Sequence, residues 1–186
     1  MDFMDLVELR RSVRAYRDDL VPPEIVDSCL EAARLAPSAT NSQPWHFVVV
    51  TEGDARRKIG EWSRLPGNRM NAFVEEAPVI VAIVAEPPRL ATQIGAFLQK
   101  TPFYLIDIGI AAEHFCLRAA EAGLGTCMIG WFDEKKVASL LQVPRGSGLQ
   151  RRRVALLITL GYPADEPREK KRHSFGTVVS RERYGG

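Results

Sequence analysis

The sequence predicts an α+β fold, an α/β sandwich in which one central sheet is flanked by helices on both faces. Three observations carry this reading. Two runs, VIVAIVA at residues 79–85 and VALLITL at 154–160, are almost uninterruptedly apolar, as strands covered on both faces are. Around them lie segments whose apolar residues recur at helical spacing. Helical and strand segments interleave with no repeat, low-complexity tract or linker between them, so they belong to one layered core.

The elements follow in order. Residues 2–11 read as a short helix, with Phe3, Leu6 and Leu9 on one face and Val13 continuing the stripe. Pro22-Pro23 opens a second helix that runs to about Leu35, striped by Ile25 or Val26, Cys29 or Leu30, and Ala33. Proline fits a first turn because that N–H has no intrahelical partner, and Pro37 ends the helix. A loop of small polar residues at 37–44 feeds a β-branched strand at 45–51. A short helix at 54–63, an irregular stretch at 65–71 and the strand at 79–85 come next. Residues 103–122 are the longest helical candidate. Its first half, FYLIDIGIAA, is apolar nearly all round, which predicts a central, buried helix. Gly123 suits its C-cap, residues 125–129 form a short strand, and Asp133 N-caps a helix through Leu141. The strand 153–160 completes the core.

Residues 163–186 are charged and poor in apolar side chains. They cannot build a core of their own, so they are either disordered or laid on another surface. The expected organisation is a single domain, a core at 1–162 with a C-terminal extension at 163–186.

Composition narrows the function. The 186 residues are 46% hydrophobic, enough for one domain with a real core. The net charge of +2 gives no general case for nucleic acid or a membrane surface as partner. Basic residues cluster near 10–17, 145–153 and 168–183, where an anion site is to be sought. Cys29, Cys116 and Cys127 are odd in number and contain no CxxC pair, which argues against a disulfide framework, a zinc site and a thioredoxin-like site. Acids stand where a signal peptide has its basic region, and the longest apolar run is too short to span a bilayer. A reducing cytoplasm is the expected compartment.

Three segments offer chemistry. Arg10, Arg11, Ser12 and Arg14 place three guanidinium groups and a hydroxyl where the first helix ends. Arg10 and Arg14 would share a face if the helix continued. Such a cluster is either a solvated basic face or a phosphate cradle, since guanidinium forks match phosphate oxygens bidentately. The loop 37–45 concentrates Ser38, Thr40, Asn41, Ser42 and Gln43 before a tryptophan. It is either an ordinary connection or a segment that recognises a polar ring. The stretch GLGTCMIG at 123–130 does not fit GxGxxG and follows a helix rather than a strand, so it supports no Rossmann site. Its glycines either cap and turn the chain or let a planar ring approach the backbone. His46, His114 and His173 lack metal-ligand spacing, and no serine sits in a GxSxG turn. No metal site and no catalytic side-chain set is expected. An enzyme so equipped must borrow its reactivity, and a flavin supplies it.

The segments RRSVRAY, APSATNSQPWHFVVV, DIGIAAEHFCLRAAEAGLGTCMIGWFDEKKV and ITLGYPADEPREKKR occur in an order and spacing that resemble the FMN-dependent nitroreductase family. Together they cover nearly the whole chain. The resemblance implies a mixed, mostly antiparallel sheet wrapped by helices, in an intertwined homodimer with two FMN sites at the interface and each C-terminal extension embracing its partner. Arg10, Arg11 and Ser12 match residues that hold the FMN phosphate, and Arg172 matches a late basic residue that returns to it. Arg14 matches a basic residue near the ribityl chain and the pyrimidine edge. Pro37, Ser38, Ala39, Asn41 and Gln43 match the segment that the partner chain lays against the flavin. Gly130 and Trp131 match the pair whose backbone approaches flavin N5. The chain is short between Ser63 and Val79, where longer members carry another flavin contact, and Asn71 is the residue available for that part. After Arg172 the sequence reads His-Ser-Phe, where many members have a lysine next.

The implied activity is electron transfer from NAD(P)H to a small electron-poor acceptor such as a nitroaromatic or quinone, by a ping-pong mechanism on the flavin. Arg14 would favour negative charge on the reduced ring, and a backbone donor at Gly130 or Trp131 would tune N5. Alternatives are a reductive dehalogenase or a flavin-modifying enzyme of the same fold, and, from another class, a flavin-binding module without turnover.

Overall fold

A computed structural model describes residues 1–64, 70–144, 146–166 and 169–185 of the chain. Its sheet is built of β1 (Trp45–Val50), β2 (Val79–Ala85), β3 (Gly125–Ile129) and β4 (Arg153–Gly161), in the order β1-β2-β4-β3. The expected helices are present as α1 (Phe3–Leu9), α2 (Pro23–Arg34), α3 (Gly53–Ser63), α5 (Phe103–Glu121) and α6 (Glu134–Leu140). Two more, α4 (Leu90–Gln99) and α7 (Phe175–Val178), were not anticipated from sequence periodicity. Residues 65–69, part of the stretch read as irregular, lie outside the described residues.

Strand β2 organises the layers. All seven of its residues are buried, and its alternation sorts them. Val79, Val81, Ile83 and Ala85 pack with α2 and α5, burying Cys29, Ala33, Ala111 and Phe115. Ile80, Ala82 and Val84 face the other way, toward Ile59 of α3, Val137 of α6 and Val13 and Tyr16 of the N-terminal arm. Each fully buried aliphatic side chain contributes about 1.5–3 kcal/mol, so a polar residue anywhere on β2 would be costly. Antiparallel pairing flanks it on both sides, Trp45 opposite Ala85 and Val79 opposite Leu160.

Several local expectations hold for the anticipated reasons. Asp2 forms a capping box with Asp5 at α1, Pro23 starts α2, Gly123 takes φ +76° after α5, and Asp133 accepts the Lys136 N–H at α6. Three differ. The four-stranded sheet is antiparallel throughout, and the parallel element expected of a mixed sheet is a single bridge from Ser12 to Thr126 of β3. Helix α1 stops at Leu9, and Arg10 is already extended at ψ 128°, so Arg10 and Arg14 share no helix face. The first half of α5 is not buried all round. Asp107 and Ile108 are covered, whereas Leu105 and Ile106 are 44% and 54% exposed.

A buried tyrosine helps tie the arm that leaves α1 to the sheet. The buried Tyr16 hydroxyl donates to the Val13 carbonyl at 2.9 Å and meets Thr159 Oγ1 at 2.7 Å. Thr159 Oγ1 reaches the Cys127 carbonyl at 3.3 Å. Tyr16→Phe removes the hydroxyl and leaves buried groups short of a partner. Urea denaturation should show a loss of about 1–3 kcal/mol without loss of the folded far-UV spectrum.

Candidate functional site

The site begins with the extended arm. Arg10 N–H still closes the last turn of α1 on Leu6, and from there the chain runs beside β3. The Val13 N–H donates to the Thr126 carbonyl at 2.8 Å, and the Arg17 N–H to the Tyr162 carbonyl at 2.9 Å. Val13 and Tyr16 turn inward, and Ser12 and Arg14 are exposed. The approach to β3 requires a glycine. A Cβ on Gly125 would lie 2.6 Å from Val13 Cγ2.

The beginning of the C-terminal extension returns to this arm in the same chain. Ala164 N–H donates to the Ala15 carbonyl at 3.0 Å, Pro163 bridges Tyr16, and Lys170 Nζ donates to the Val7 carbonyl at 2.6 Å. Between arm, extension and the turn from α5 into β3 lies a cavity of about 660 Å³. Arg10, Arg11, Arg14, Lys170, Lys171 and Arg172 line it, with Ser12 and the acids Asp165, Glu166 and Glu169.

The electrostatics of this cavity favour an anion. The Lys170 ammonium is held below its ordinary pKa by desolvation first, then by the positive charges of Arg10, Arg172 and Arg11, with Glu113 opposing. Arg10 Nε lies 2.9 Å from Glu113 Oε1, an ion pair that fixes this guanidinium at the cavity wall. Like charges gathered around it favour negative charge in the space between them.

From the cavity, β3 carries the chain away. Five residues at about 3.3 Å each place Gly130 roughly 17 Å from Gly125 along the strand. Gly130 is open, and a Cβ there would meet nothing within 4 Å. Trp131 beside it is 54% exposed. Asn71, in the left-handed region at φ 64°, donates through Nδ2 to the Ser63 carbonyl at 3.1 Å and, at the long distance of 3.5 Å, to the Trp131 carbonyl. The cation-lined cavity and the open position at Gly130 thus lie at the two ends of one edge strand.

Of the residues singled out in the sequence, Arg10, Arg11, Ser12, Arg14 and Arg172 converge on the cavity. Gly130 and Trp131 lie at the far end of β3. Pro37, Ser38, Ala39, Asn41 and Gln43 do not line the cavity. They form a separate loop before β1, built round a short 3-10 turn at Ala39–Asn41. Sequence reasoning missed Lys170 and Lys171 as cavity residues. Their signal was adjacency to Arg172, but only the return of the extension onto α1 turns the Lys-Lys-Arg run inward. It also missed Asp107, whose signal was an acid alone within the apolar run FYLIDIGIAA.

Among the described residues no cluster of His, Cys, Asp or Glu could hold a metal, and no helix is long and apolar enough to cross a membrane. All three thiols are buried. Burial pushes Cys29 up to about 11, Cys116 up to about 12, and Cys127 upward as well.

The Nitroreductase family profile matches residues 7–67 and 65–162. The NADH dehydrogenase of Thermus thermophilus is 30% identical over 196 residues, covering 91% of each chain. The oxygen-insensitive NADPH nitroreductase of Helicobacter pylori is 28% identical over 174 residues, 80% of this chain and 81% of that protein. The solved FMN-dependent nitroreductase of Clostridium difficile matches with a TM-score of 0.73 at 28% identity, over 95% of this chain and 94% of that one.

Burial keeps these thiols protonated at neutral pH, and their titration makes a test. The native protein should leave all three unreacted toward a thiol reagent at pH 8, and the denatured chain should expose three. The folded state holds these protons to higher pH than the unfolded chain, whose thiols titrate near 9.0. The contribution to stability is therefore full below about pH 9 and declines as pH rises toward the folded values. Denaturation midpoints across pH 7–11 should fall in that sense.

Proposed function

The chain belongs to the nitroreductase family, and on that premise we propose that it is an FMN-dependent oxidoreductase that passes electrons from NAD(P)H to a small electron-poor acceptor such as a nitroaromatic or quinone. The observation that carries the reading is the convergence of Arg10, Arg11, Arg14, Lys170, Lys171 and Arg172 with Ser12 on one cavity. It is supported by the open space at Gly130, just past β3, and by the names of relatives that mention NADH, NADPH and FMN.

The residues present fit FMN. Arg10, Arg11, Ser12 and Arg172 would hold its phosphate, with Lys170 and Lys171 adding charge. A compact dianion suits this cradle, and no Rossmann fingerprint offers a place for an adenine half. Arg14, two residues further along the arm, would lie beside the ribityl chain and ring, where its charge favours electron density on the ring. Gly130 and Trp131 would present backbone to the ring without a side chain between. FMN, when bound, supplies the two-electron chemistry that lets one pocket serve donor and acceptor in turn, the basis of ping-pong kinetics. The protein's own part is to bind, orient and tune. No separate dinucleotide domain is needed for a nicotinamide that only stacks transiently.

The active unit we infer is a homodimer in which the loop carrying Pro37, Ser38, Ala39, Asn41 and Gln43 serves the partner's flavin. Leu90, Ile94, Phe97 and Leu98 of α4 are exposed, as are Leu105 and Ile106 of α5. Phe175 and Val178 of α7 are equally uncovered, at 72% and 65% exposure. Apolar area on this scale is hidden in a stable protein, and a second copy hides both faces at once. An obligate interface of this type buries roughly 2,000–5,000 Å².

Purified protein should be yellow, release FMN on heating, be bleached by NAD(P)H and be recoloured by a quinone or nitroarene. Yellow protein that NAD(P)H leaves unbleached would be a binding module, and stoichiometric FAD would overturn the cofactor. Arg10→Ala should weaken FMN binding by about tenfold or more, as loss of a charge-assisted hydrogen bond predicts, with a smaller effect on turnover of the loaded enzyme. Truncation after Gly161 removes Lys170, Lys171, Arg172 and α7 together. Sedimentation and flavin content should show dimer and cofactor lost in step. A truncated chain that stays dimeric and fully yellow contradicts the shared site.

A further inference from the structure

The loop before β1 is held in a conformation its residues avoid. Thr40, Asn41 and Gln43 all lie in the left-handed region, at φ 51°, 52° and 47°, and none is a glycine. Strain of this kind persists only where surrounding structure over-determines it, and it concentrates at functional sites. Two helices supply the constraint here, both from behind the loop.

From α5, Asp107 reaches the loop backbone. Its Oδ1 accepts the Ala39 N–H at 3.0 Å. The residue is 4% exposed, and its Oδ2 is buried without a donor. From α4, Thr92 is 3% exposed. Its hydroxyl meets Thr40 Oγ1 at 2.5 Å and Ser42 Oγ at 2.8 Å. Within the loop, Ser38 Oγ accepts the Gln43 N–H at 2.9 Å. A carboxyl group buried for the sake of one backbone N–H is a poor investment in stability alone, because its other oxygen loses water and gains nothing. It is understandable if the shape of residues 39–43 is what must be kept.

We propose that Asp107 and Thr92 are positioning residues of the electron-transfer site. They fix residues 39–43 from behind, so that the loop's outward groups, including Asn41 and Gln43, are presented in one arrangement to the nicotinamide or acceptor above the partner's flavin. The proposal rests on the reading that this loop serves a flavin site. Neither residue touches the ligand. They act through the backbone of Ala39 and the hydroxyls of Thr40 and Ser42, and none of these lines the phosphate cavity of their own chain.

Conservative pairs of variants test this. Thr92→Val keeps volume and removes the hydroxyl, and Thr92→Ser keeps the hydroxyl. Asp107→Ala removes the acceptor, and Asp107→Asn keeps one. In the flavin-free protein, amide exchange at residues 39–43 should accelerate about tenfold in Thr92→Val and Asp107→Ala, the effect of losing one hydrogen bond, and return to wild type in Thr92→Ser and Asp107→Asn. In the loaded enzyme the same two disruptive variants should raise acceptor KM about tenfold, with a smaller loss of FMN affinity than Arg10→Ala causes. If Asp107→Ala does not fold, the Thr92 pair decides. Wild-type exchange in Thr92→Val overturns the proposal, as does an unchanged KM despite faster exchange. Equal impairment in Thr92→Val and Thr92→Ser also overturns it, by showing a packing role only. A wild-type protein that takes up no FMN sinks the reading of the site itself. FMN-loaded variants indistinguishable from wild type sink only the role of Asp107 and Thr92.

Discussion

The constraint on which the rest depends is the two-sided burial of β2. A strand that reads VIVAIVA has no face to give to water, so it must lie inside the sheet with a helical layer on each side. That puts β1 and β3 at the margins of the described sheet and divides the apolar residues into two cores. It also leaves the outer edge of β3 with backbone groups to satisfy, and the N-terminal arm meets part of that need through Val13 and Thr126. The basic arm is therefore beside β3 because the edge must be paired.

Pairing at that edge converts a sequence cluster into a site. An extended arm sends alternate side chains to opposite sides. Val13 goes into the core against Gly125, and Ser12 and Arg14 go outward. The returning extension closes the other side with Lys170, Lys171 and Arg172. The lowered Lys170 pKa reflects desolvation first and then the charges of Arg10, Arg172 and Arg11. Such an arrangement favours negative charge among these groups.

The loop before β1 shows the same logic in backbone form. Three left-handed residues and a buried carboxyl with an idle oxygen are both unfavourable. They meet at Ala39 and Thr40, where Asp107 and Thr92 hold the chain. Strain and buried polarity coincide in the segment that the family resemblance assigns to a flavin.

Much of this was legible in the sequence. Strand and helix positions follow from period and from caps such as Asp2, Pro23, Gly123 and Asp133, because these depend on neighbours a few residues away. The arginines and Ser12 stood out in the sequence as either a solvated basic face or a phosphate cradle, and the structure brings them to one cavity. What the sequence could not fix is what depends on distant partners. Helix α4 escaped notice because its apolar side chains Leu90, Ile94, Phe97 and Leu98 remain largely exposed within the chain. The inward turn of Lys170 and Lys171 follows from a hydrogen bond to Val7 some 160 residues earlier in the chain. Asp107 reads as an odd acid in an apolar helix until Ala39 is seen opposite it. The sequence by itself determined the elements, the two-faced strand and the basic arm, because hydrophobic periodicity and charge are local properties. Only the tertiary structure decided which charges face one another and which polar groups remain unpaired, because those are set by where the sheet brings remote segments together.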